Sequence, residues 1–439
     1  MPMFFPEYVR RSIDALEQSG FACYAVGGCV RDSLLGLTPH DYDLCTDALP
    51  EQIKTVFADY QLVLSGEKHG TVGVVMEGNV VEITTFRTEG DYADNRHPGW
   101  VEFVKNIEGD LSRRDFTVNA MAYSPTRGFA DLFGGQQDLQ AKILRAVGNA
   151  QARFEEDALR ILRGMRFSVR YHLTPEKETF HAMLSQASLL DCIAKERIFD
   201  ELCQFLCLVS AEDLLLYTPV LCQVIPELAP TVGFCQHTPH HKFDVFTHTA
   251  HVCAATPKEL SLRWAALLHD IGKVSTFTLD DRGQGHFYGH AEVSARMADE
   301  ILTRLKAPTA LREEVVFLIS HHMMFPEPDR KLLKRWLSRW GAERLQKLLA
   351  LQEADSGGKG LDEDDSVFRE VHTIIQELLA ENNCLTLRDL AVNGHDLMAL
   401  GLTGTAIGAC LEQLLSLVLD EQIPNEKAAL LAAVERMKL

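Results

Sequence analysis

The chain of 439 residues is short of several things that mark large protein classes. Its eleven cysteines include no CxxC pair, so a zinc ribbon or a thioredoxin-like redox motif is excluded. Cys203 and Cys207 lie one helical turn apart and read as small buried hydrophobes rather than ligands. The first ten residues turn polar too quickly for a secretory leader. With an odd cysteine count, that points to a reducing cytoplasm. No long apolar run survives: residues 214–232 are the most apolar stretch, and Pro219, Pro226 and Pro230 interrupt it. A membrane span is not expected there.

Positive charge is also scarce. Forty-three Lys and Arg face 62 Asp and Glu, a net charge of −19. That excludes a long electrostatic track along nucleic acid, which needs many phosphates neutralised at once. The deficit is uneven. Residues 145–172 carry six Arg against three acids, whereas the tail from residue 361 carries five basic residues against fourteen acids. A nucleic-acid partner would be gripped locally, near the first segment. No GxxxxGK[ST] loop and no GxGxxG fingerprint occurs, so phosphate binding must fall elsewhere.

What is present is concentrated near the front. Residues 26–36 read VGGCVRDSLLG, and HDYD follows at 40–43. Tyr24 and Val26 suggest a strand entering a Gly-Gly turn. Residues 31–35 suggest a short helix, and 41–44 a second strand. On a strand, i and i+2 share a face, so Asp41 and Asp43 should project together. Two adjacent carboxylates repel, and Mg²⁺ bound with substrate phosphates is the usual remedy. A Gly-Gly turn opening a helix offers N–H groups and a positive dipole end to a triphosphate. A DxD pair or a Gly-Gly turn alone is ordinary; their combination indicates metal-assisted nucleotidyl transfer.

GG-x-VRD-x-LLG followed by D-x-D resembles the head signature of the class II tRNA nucleotidyltransferases and bacterial poly(A) polymerases, in the polymerase-β superfamily. The resemblance implies an α+β head, a nucleotidyltransferase sheet with helices, followed by an all-α neck, body and tail. It implies that Asp41 and Asp43 are catalytic and hold Mg²⁺, and that Gly28 and Arg31 meet the nucleotide. Residues 112–122, SRRDFTVNAMA, form a second family signature. Cations are wanted near a triphosphate because charge develops on the transferring phosphoryl group. A doubled Arg is commonly a charged surface turn; the resemblance favours Arg114 as the phosphate ligand. Glu82, on the strand-like run before residue 86, is the candidate third carboxylate. The polar loop at 91–98 looks like the family's flexible loop associated with adding the terminal A, which argues against a CC-only enzyme.

Residues 153–167, RFEEDALRILRGMRF, read as an amphipathic helix with Leu159, Leu162, Met165 and Phe167 inward. Asp157, Arg160 and Arg163 are three apart on one neighbouring face. A salt-bridged helix is the ordinary reading. Yet an acceptor beside a guanidinium donor imitates a nucleobase edge. Cytosine and adenine present an amino donor next to a ring-nitrogen acceptor; uracil and guanine present the reverse. Such a pair selects C and A without a template. By resemblance to the family's E-D-x-x-R motif, Asp157 and Arg160 read the base, and Arg163 and Arg166 make further nucleotide contacts.

Ten of the seventeen histidines lie between His237 and His322. His248, His269-Asp270 in HDIGK, His290, His321-His322 and Asp355 match the H…HD…D pattern of HD-domain phosphohydrolases. His248, His269, Asp270 and Asp355 supply mixed N and O ligands, suited to Mn, Fe, Ni or Mg-class ions. His290 and His321 are the candidates for a second divalent metal.

The expected layout is a nucleotidyltransferase head over residues 1–140, a helical neck for RNA and nucleotide over 141–235, an HD domain over 236–360, and a helical tail over 361–439. Residues 357–360 and the acids at 362–365 read as a linker into that tail. The expected function is template-independent addition of CCA to a tRNA 3′ end from CTP and ATP. The alternatives are an A-adding enzyme, a poly(A) polymerase, or an HD metal phosphohydrolase whose head only binds RNA. No membrane partner is expected, and monomer and dimer are both compatible with the sequence.

Overall fold

Strands that are largely buried at the centre and part-exposed at the edges pair the front of the chain into one mixed sheet. In a computed structural model its strands are β1 (Cys23–Val26), β2 (Asp43–Thr46), β3 (Gln61–Val63), β4 (Thr71–Met76) and β5 (Asn79–Thr85). A separate antiparallel pair follows, β6 (Arg87–Glu89) with β7 (Val101–Phe103), and then β8 (Met121–Ser124) and β9 (Gly128–Asp131) complete the main sheet. The order is β3-β4-β5-β2-β1-β8-β9. β2 and β5 run parallel and the other neighbours antiparallel. Leu44 and Cys45 of β2 and Val81 and Ile83 of β5 are buried, so these strands are held by their inward apolar residues.

The structure describes residues 3–89, 101–239, 242–359, 366–381 and 385–437. The polar loop at 91–98 and the acids at 362–365 lie outside these residues. The chain divides into two units, one running to Pro226 and taking in Arg304–Lys306, the other made of the remainder from Glu227.

Within the first unit, the expected single helix over 153–167 is two helices, Ala150–Glu156 and Leu159–Tyr171. Asp157 separates them in an extended conformation, φ −141° and ψ 101°. Asn149 opens the first helix by accepting the Ala152 N–H. Gly164 in the second helix is there for contact: a Cβ would sit 2.9 Å from the Phe116 ring and 3.2 Å from Met183. On the same helix, Arg166 donates to both carboxylate oxygens of Glu201, at 2.6 and 3.3 Å, and both residues are buried.

Among the described residues the second unit is helical apart from one small hairpin, Thr278–Leu279 with Gly285–His286. Its helices Val245–Ala255, Leu260–Leu268, Thr309–His321 and Ala342–Gly357 pack around fully buried Trp264 and Phe246. Residues 357–359 are not a bare linker. The Ala342–Gly357 helix runs through Gly357, and the Gly358 carbonyl receives a hydrogen bond from His248. Two further apolar clusters, one around Leu333 and Phe368 and one around Leu414 and Leu430, organise the C-terminal helices.

Glu201→Ala strands a buried guanidinium, and the expected loss is about 3–5 kcal/mol. It should appear as a lowered first transition in calorimetry, with the apolar double replacement Arg166→Met/Glu201→Leu recovering most of it.

Candidate functional site

In the first unit the β1–α turn is built on Gly27. Its φ of +75° suits glycine, and a Cβ there would lie 2.8 Å from Arg114 Nη1. The glycine therefore lets a guanidinium approach the turn. Gly28 begins the helix Gly28–Leu34. Asp43 opens β2, paired with Val26 on one side and with Glu82 on the other. Asp43 and Glu82 are both exposed and side by side in a parallel register, so their carboxylates share a face. Asp41 precedes the strand rather than lying within it; its side chain is 84% exposed and contacts His40 Nδ1 at 3.0 Å.

Desolvation raises the Asp43 carboxyl above its usual range; Arg114 draws it down, while Glu82 and Asp41 push it further up. This is a patch of carboxylates with more negative charge than its one arginine offsets. A hard divalent cation fits it.

Two buried acids organise the arginines around this patch. Asp110 accepts from Arg113 at 2.8 Å and Arg114 at 3.1 Å. Burial alone would raise its carboxyl, but the two guanidiniums hold it below the ordinary value. Asp115 accepts from Arg163 Nε and Nη2 at 2.9 and 2.7 Å, from Asn119 at 3.0 Å and from the Phe116 N–H at 2.8 Å. Burial works against it, yet Arg163 and Asn119 bring it down to about 2. Neither acid was singled out in the sequence, although Asp110 lies three and four residues before Arg113 and Arg114.

The expected nucleotide-binding residues fall into different environments. Arg31 is buried: it meets Asn119 Oδ1, Tyr171 Oη at 2.5 Å and Asp32 at 2.7 Å, with its guanidinium 4.1 Å from the Tyr171 ring centroid. Arg160 turns to Glu156 at 2.7 Å and to the Arg153 and Arg113 carbonyls. Asp157, outside the helix, accepts the Leu159 N–H at 3.1 Å and pairs with Arg197 at 3.3 Å. Asp157 and Arg160 are thus each paired elsewhere rather than with one another, while the Arg160 N–H still reaches the Asp157 carbonyl and Arg163 still feels the Asp157 charge. The break at Asp157 turns its carboxylate toward Arg197, and Arg163 is held by Asp115. Arg166 does not join them at all, being buried against Glu201.

In the second unit, His248, His269, Asp270 and Asp355 converge as expected, all buried, with one ligand atom from each within 4.8 Å of the others. A second group joins Asp270 with His290 and His322. His322 takes the place expected of His321. The neighbouring ring points elsewhere on the helix turn, stacking on Phe317 at 4.3 Å and against Trp340. Each of the four ligand histidines turns Nδ1 to a backbone carbonyl: His248 to Gly358, His269 to Ala266, His290 to Phe287 and His322 to Ile319. A carbonyl only accepts, so Nδ1 carries the proton and Nε2 faces inward. Asp270 bridges the two groups. Its Oδ2 faces His248 at 3.5 Å and His269 at 3.2 Å, and its Oδ1 faces His290 at 3.4 Å. Among the described residues His269 Nε2 makes no well-aligned hydrogen bond, with Asp270 Oδ2 at 3.2 Å and Asp355 Oδ1 at 3.6 Å. Burial alone would lower His269, but Asp270 and Asp355 lift it to about 10. Burial and His269 push His322 down to about 4, leaving it neutral and ready to ligate. The donor set fits two divalent ions sharing one carboxylate.

Comparison with known proteins agrees with both halves. The Poly A polymerase head domain matches residues 23–145, the probable RNA and SrmB-binding site of polymerase A matches 172–231, and the HD domain matches 240–356. The chain is 34% identical to a CCA-adding enzyme of Levilactobacillus brevis, over 98% of this chain and 97% of that protein. It is 32% identical to one of Streptococcus mutans, over 97% and 95%. The crystal structure of a Bacillus stearothermophilus CCA-adding enzyme in complex with CTP superposes with a TM-score of 0.74 at 27% identity, covering 99% and 98% of the two chains. No helix among the described residues is long and apolar enough to cross a membrane.

The depressed Asp115 carboxyl carries an acid signature. Its contribution to stability is whole above its unfolded value of 3.8 and is lost as pH falls through about 2. The gap in melting temperature between the wild type and Asp115→Asn should therefore close over that window and stay constant above it.

Proposed function

Because the chain belongs to the family of CCA-adding enzymes, we propose that it adds C, C and A to the 3′ end of tRNA, using CTP and ATP without a template. The observation that carries this reading is the in-register pair of Asp43 and Glu82 beside Arg114 at the Gly27–Gly28 turn. Asp41 and Asp43, with Glu82 as the third carboxylate, would hold Mg²⁺. That ion would neutralise charge on the transferring phosphoryl group and lower the pKa of the attacking 3′-hydroxyl.

The chain's own residues do the rest. Arg114, oriented by Asp110, meets the triphosphate, and the Gly28 N–H lies at the same turn. Arg31 acts from the interior, tying the turn to Tyr171 and so positioning it against the helix that follows Asp157. Asp157 accepts the amino group of cytosine or adenine, and a guanidinium beside it donates to the ring nitrogen. Arg160 is the motif's choice. Arg197 is the arginine within ion-pair reach of Asp157, and separate Arg160→Ala and Arg197→Ala variants tell them apart. Arg163, held by Asp115, supports this wall. An A-adding enzyme uses the same groups. A poly(A) polymerase is disfavoured by the acidic tail and by the full-length relatives named CCA-adding enzyme.

A second activity rests on a separate observation, the bridged His and Asp cluster. It suits metal-dependent phosphoester hydrolysis, with Mn²⁺ or a similar transition ion fitting the nitrogen-rich ligands.

Purified protein given tRNA lacking CCA should incorporate labelled CTP and then ATP with Mg²⁺. Asp41→Ala or Asp43→Ala should lower transfer on the order of 100-fold or more, the scale of losing one electrostatic stabiliser, and leave phosphoester hydrolysis intact. His269→Ala should do the reverse. Incorporation of ATP alone would reassign the enzyme to A-addition, and incorporation of neither would end the proposal.

In Asp157→Ala, discrimination against UTP and GTP should fall toward the ~100-fold that pocket shape alone supplies. Unchanged discrimination in single-turnover assays would remove Asp157 as the base reader.

A further inference from the structure

The HD metal-ligand cluster is buried but reached through a cavity. Asp270, Asp355 and His290 line a cavity of about 340 Å³, inside the range of roughly 300–1,000 Å³ found for small-molecule sites. Its other wall is aromatic and apolar, yet exposed. Tyr288, two residues before the ligand His290, is 76% exposed, and Met323 and Phe325, following the ligand His322, are also exposed. Large apolar side chains that line a cavity and still face water need a reason.

The Tyr288 ring is also held in place. It lies parallel to the His286 imidazole, with centroids 5.3 Å apart and an interplanar angle of 8°. His286 ends the Gly285–His286 strand and pairs with Asp280 at 3.2 Å. The outer face of the tyrosine is therefore a fixed flat surface at the mouth of the cavity. Across it, Lys359 Nζ lies 5.9 Å from the Phe325 ring centroid, and inside it Lys273 Nζ is 2.7 Å from Asp270. The cavity thus runs from a site for a phosphoryl group, with cations beside it, to a platform for a planar ring.

Resting on the phosphohydrolase reading of this cluster, we propose that Tyr288 is a substrate-positioning residue of the HD site, its ring stacking on the planar base of a nucleotide whose phosphate meets the metal ligands. The platform is sequence-tolerant, because stacking uses the π-face that every base has rather than its hydrogen-bonding edge. Phe325 closes the opposite side. Free mononucleotide and the last nucleotide of an RNA share this chemistry.

The test is calorimetric titration of the full chain loaded with Mn²⁺, with the His269→Ala variant as the blank for nucleotide bound by the head. The ligands are adenosine 3′-monophosphate, a trinucleotide ending in a 3′-phosphate, and ribose 5-phosphate. Above the blank, Tyr288→Ala should weaken the nucleotide ligands about 10-fold, within the range for one stacked base, and leave ribose 5-phosphate unchanged. Tyr288→Phe should bind as the wild type does. Tyr288 is exposed, so its truncation does not threaten folding. A loss confined to the trinucleotide assigns the site to an RNA end, and a loss in both assigns it to the nucleotide itself. If Tyr288→Ala matches the wild type, or if the base adds nothing over ribose 5-phosphate, the platform is overturned while the phosphohydrolase reading stands. If Mn²⁺ fails to bind, or no ligand binds above the blank, both fall.

Discussion

Two buried carboxylates, Asp110 and Asp115, carry the arginine lattice on which the first unit's site is built. A guanidinium in a protein interior is tolerable only when its charge and its donors are matched. Asp110 satisfies Arg113 and Arg114, and Asp115 satisfies Arg163 and, through Asn119, reaches Arg31. Arg31 in turn closes on Tyr171. One chain of charge-assisted hydrogen bonds therefore runs from the Gly27 turn to the Leu159–Tyr171 helix. The sheet supplies the carboxylates; the lattice supplies the positive wall that faces them.

The second unit solves the opposite problem. There the acids and histidines face one another, and Asp270 is common to both groups. Backbone carbonyls accept from the Nδ1 of each of these four histidines, which turns Nε2 toward the cluster. Such a preorganised donor set meets a metal with little rearrangement. The two units thus offer two kinds of donor set: exposed carboxylates beside an arginine in one, and buried nitrogen and oxygen donors under a cavity in the other.

Much of this was legible in the residue string because it is local. The Gly-Gly turn, the helix after it and the strand carrying Asp43 follow from spacing within twenty residues. The HDIGK segment announces two ligands that are neighbours in sequence. Glu82, the candidate third carboxylate on a separate strand, lies beside Asp43 in the β2–β5 register. Other expectations depended on rotation about a helix or on a break in one. His321 and His322 differ by a single residue, and only packing against Phe317 and Trp340 decides which ring turns inward. Helical spacing puts Asp157 and Arg160 near each other, but their side chains pair elsewhere, Asp157 with Arg197 and Arg160 with Glu156.

By itself the sequence determined the class of chemistry: paired carboxylates by a glycine turn, a cluster of arginines after it, and a separate His-Asp set. These are residue types at short separations, and their chemistry is intrinsic to them. The tertiary structure alone decided which arginines stay partly exposed and which are held inside, because a guanidinium's role depends on the nearest carboxylate. Arg166 and Arg31 look like ligands in the string and are buried in the fold, matched by Glu201 and by Asp32 with Asn119. The partners of these two, apart from Asp32, lie 35 to 140 residues away in the chain. No local pattern carries information over that distance; packing does.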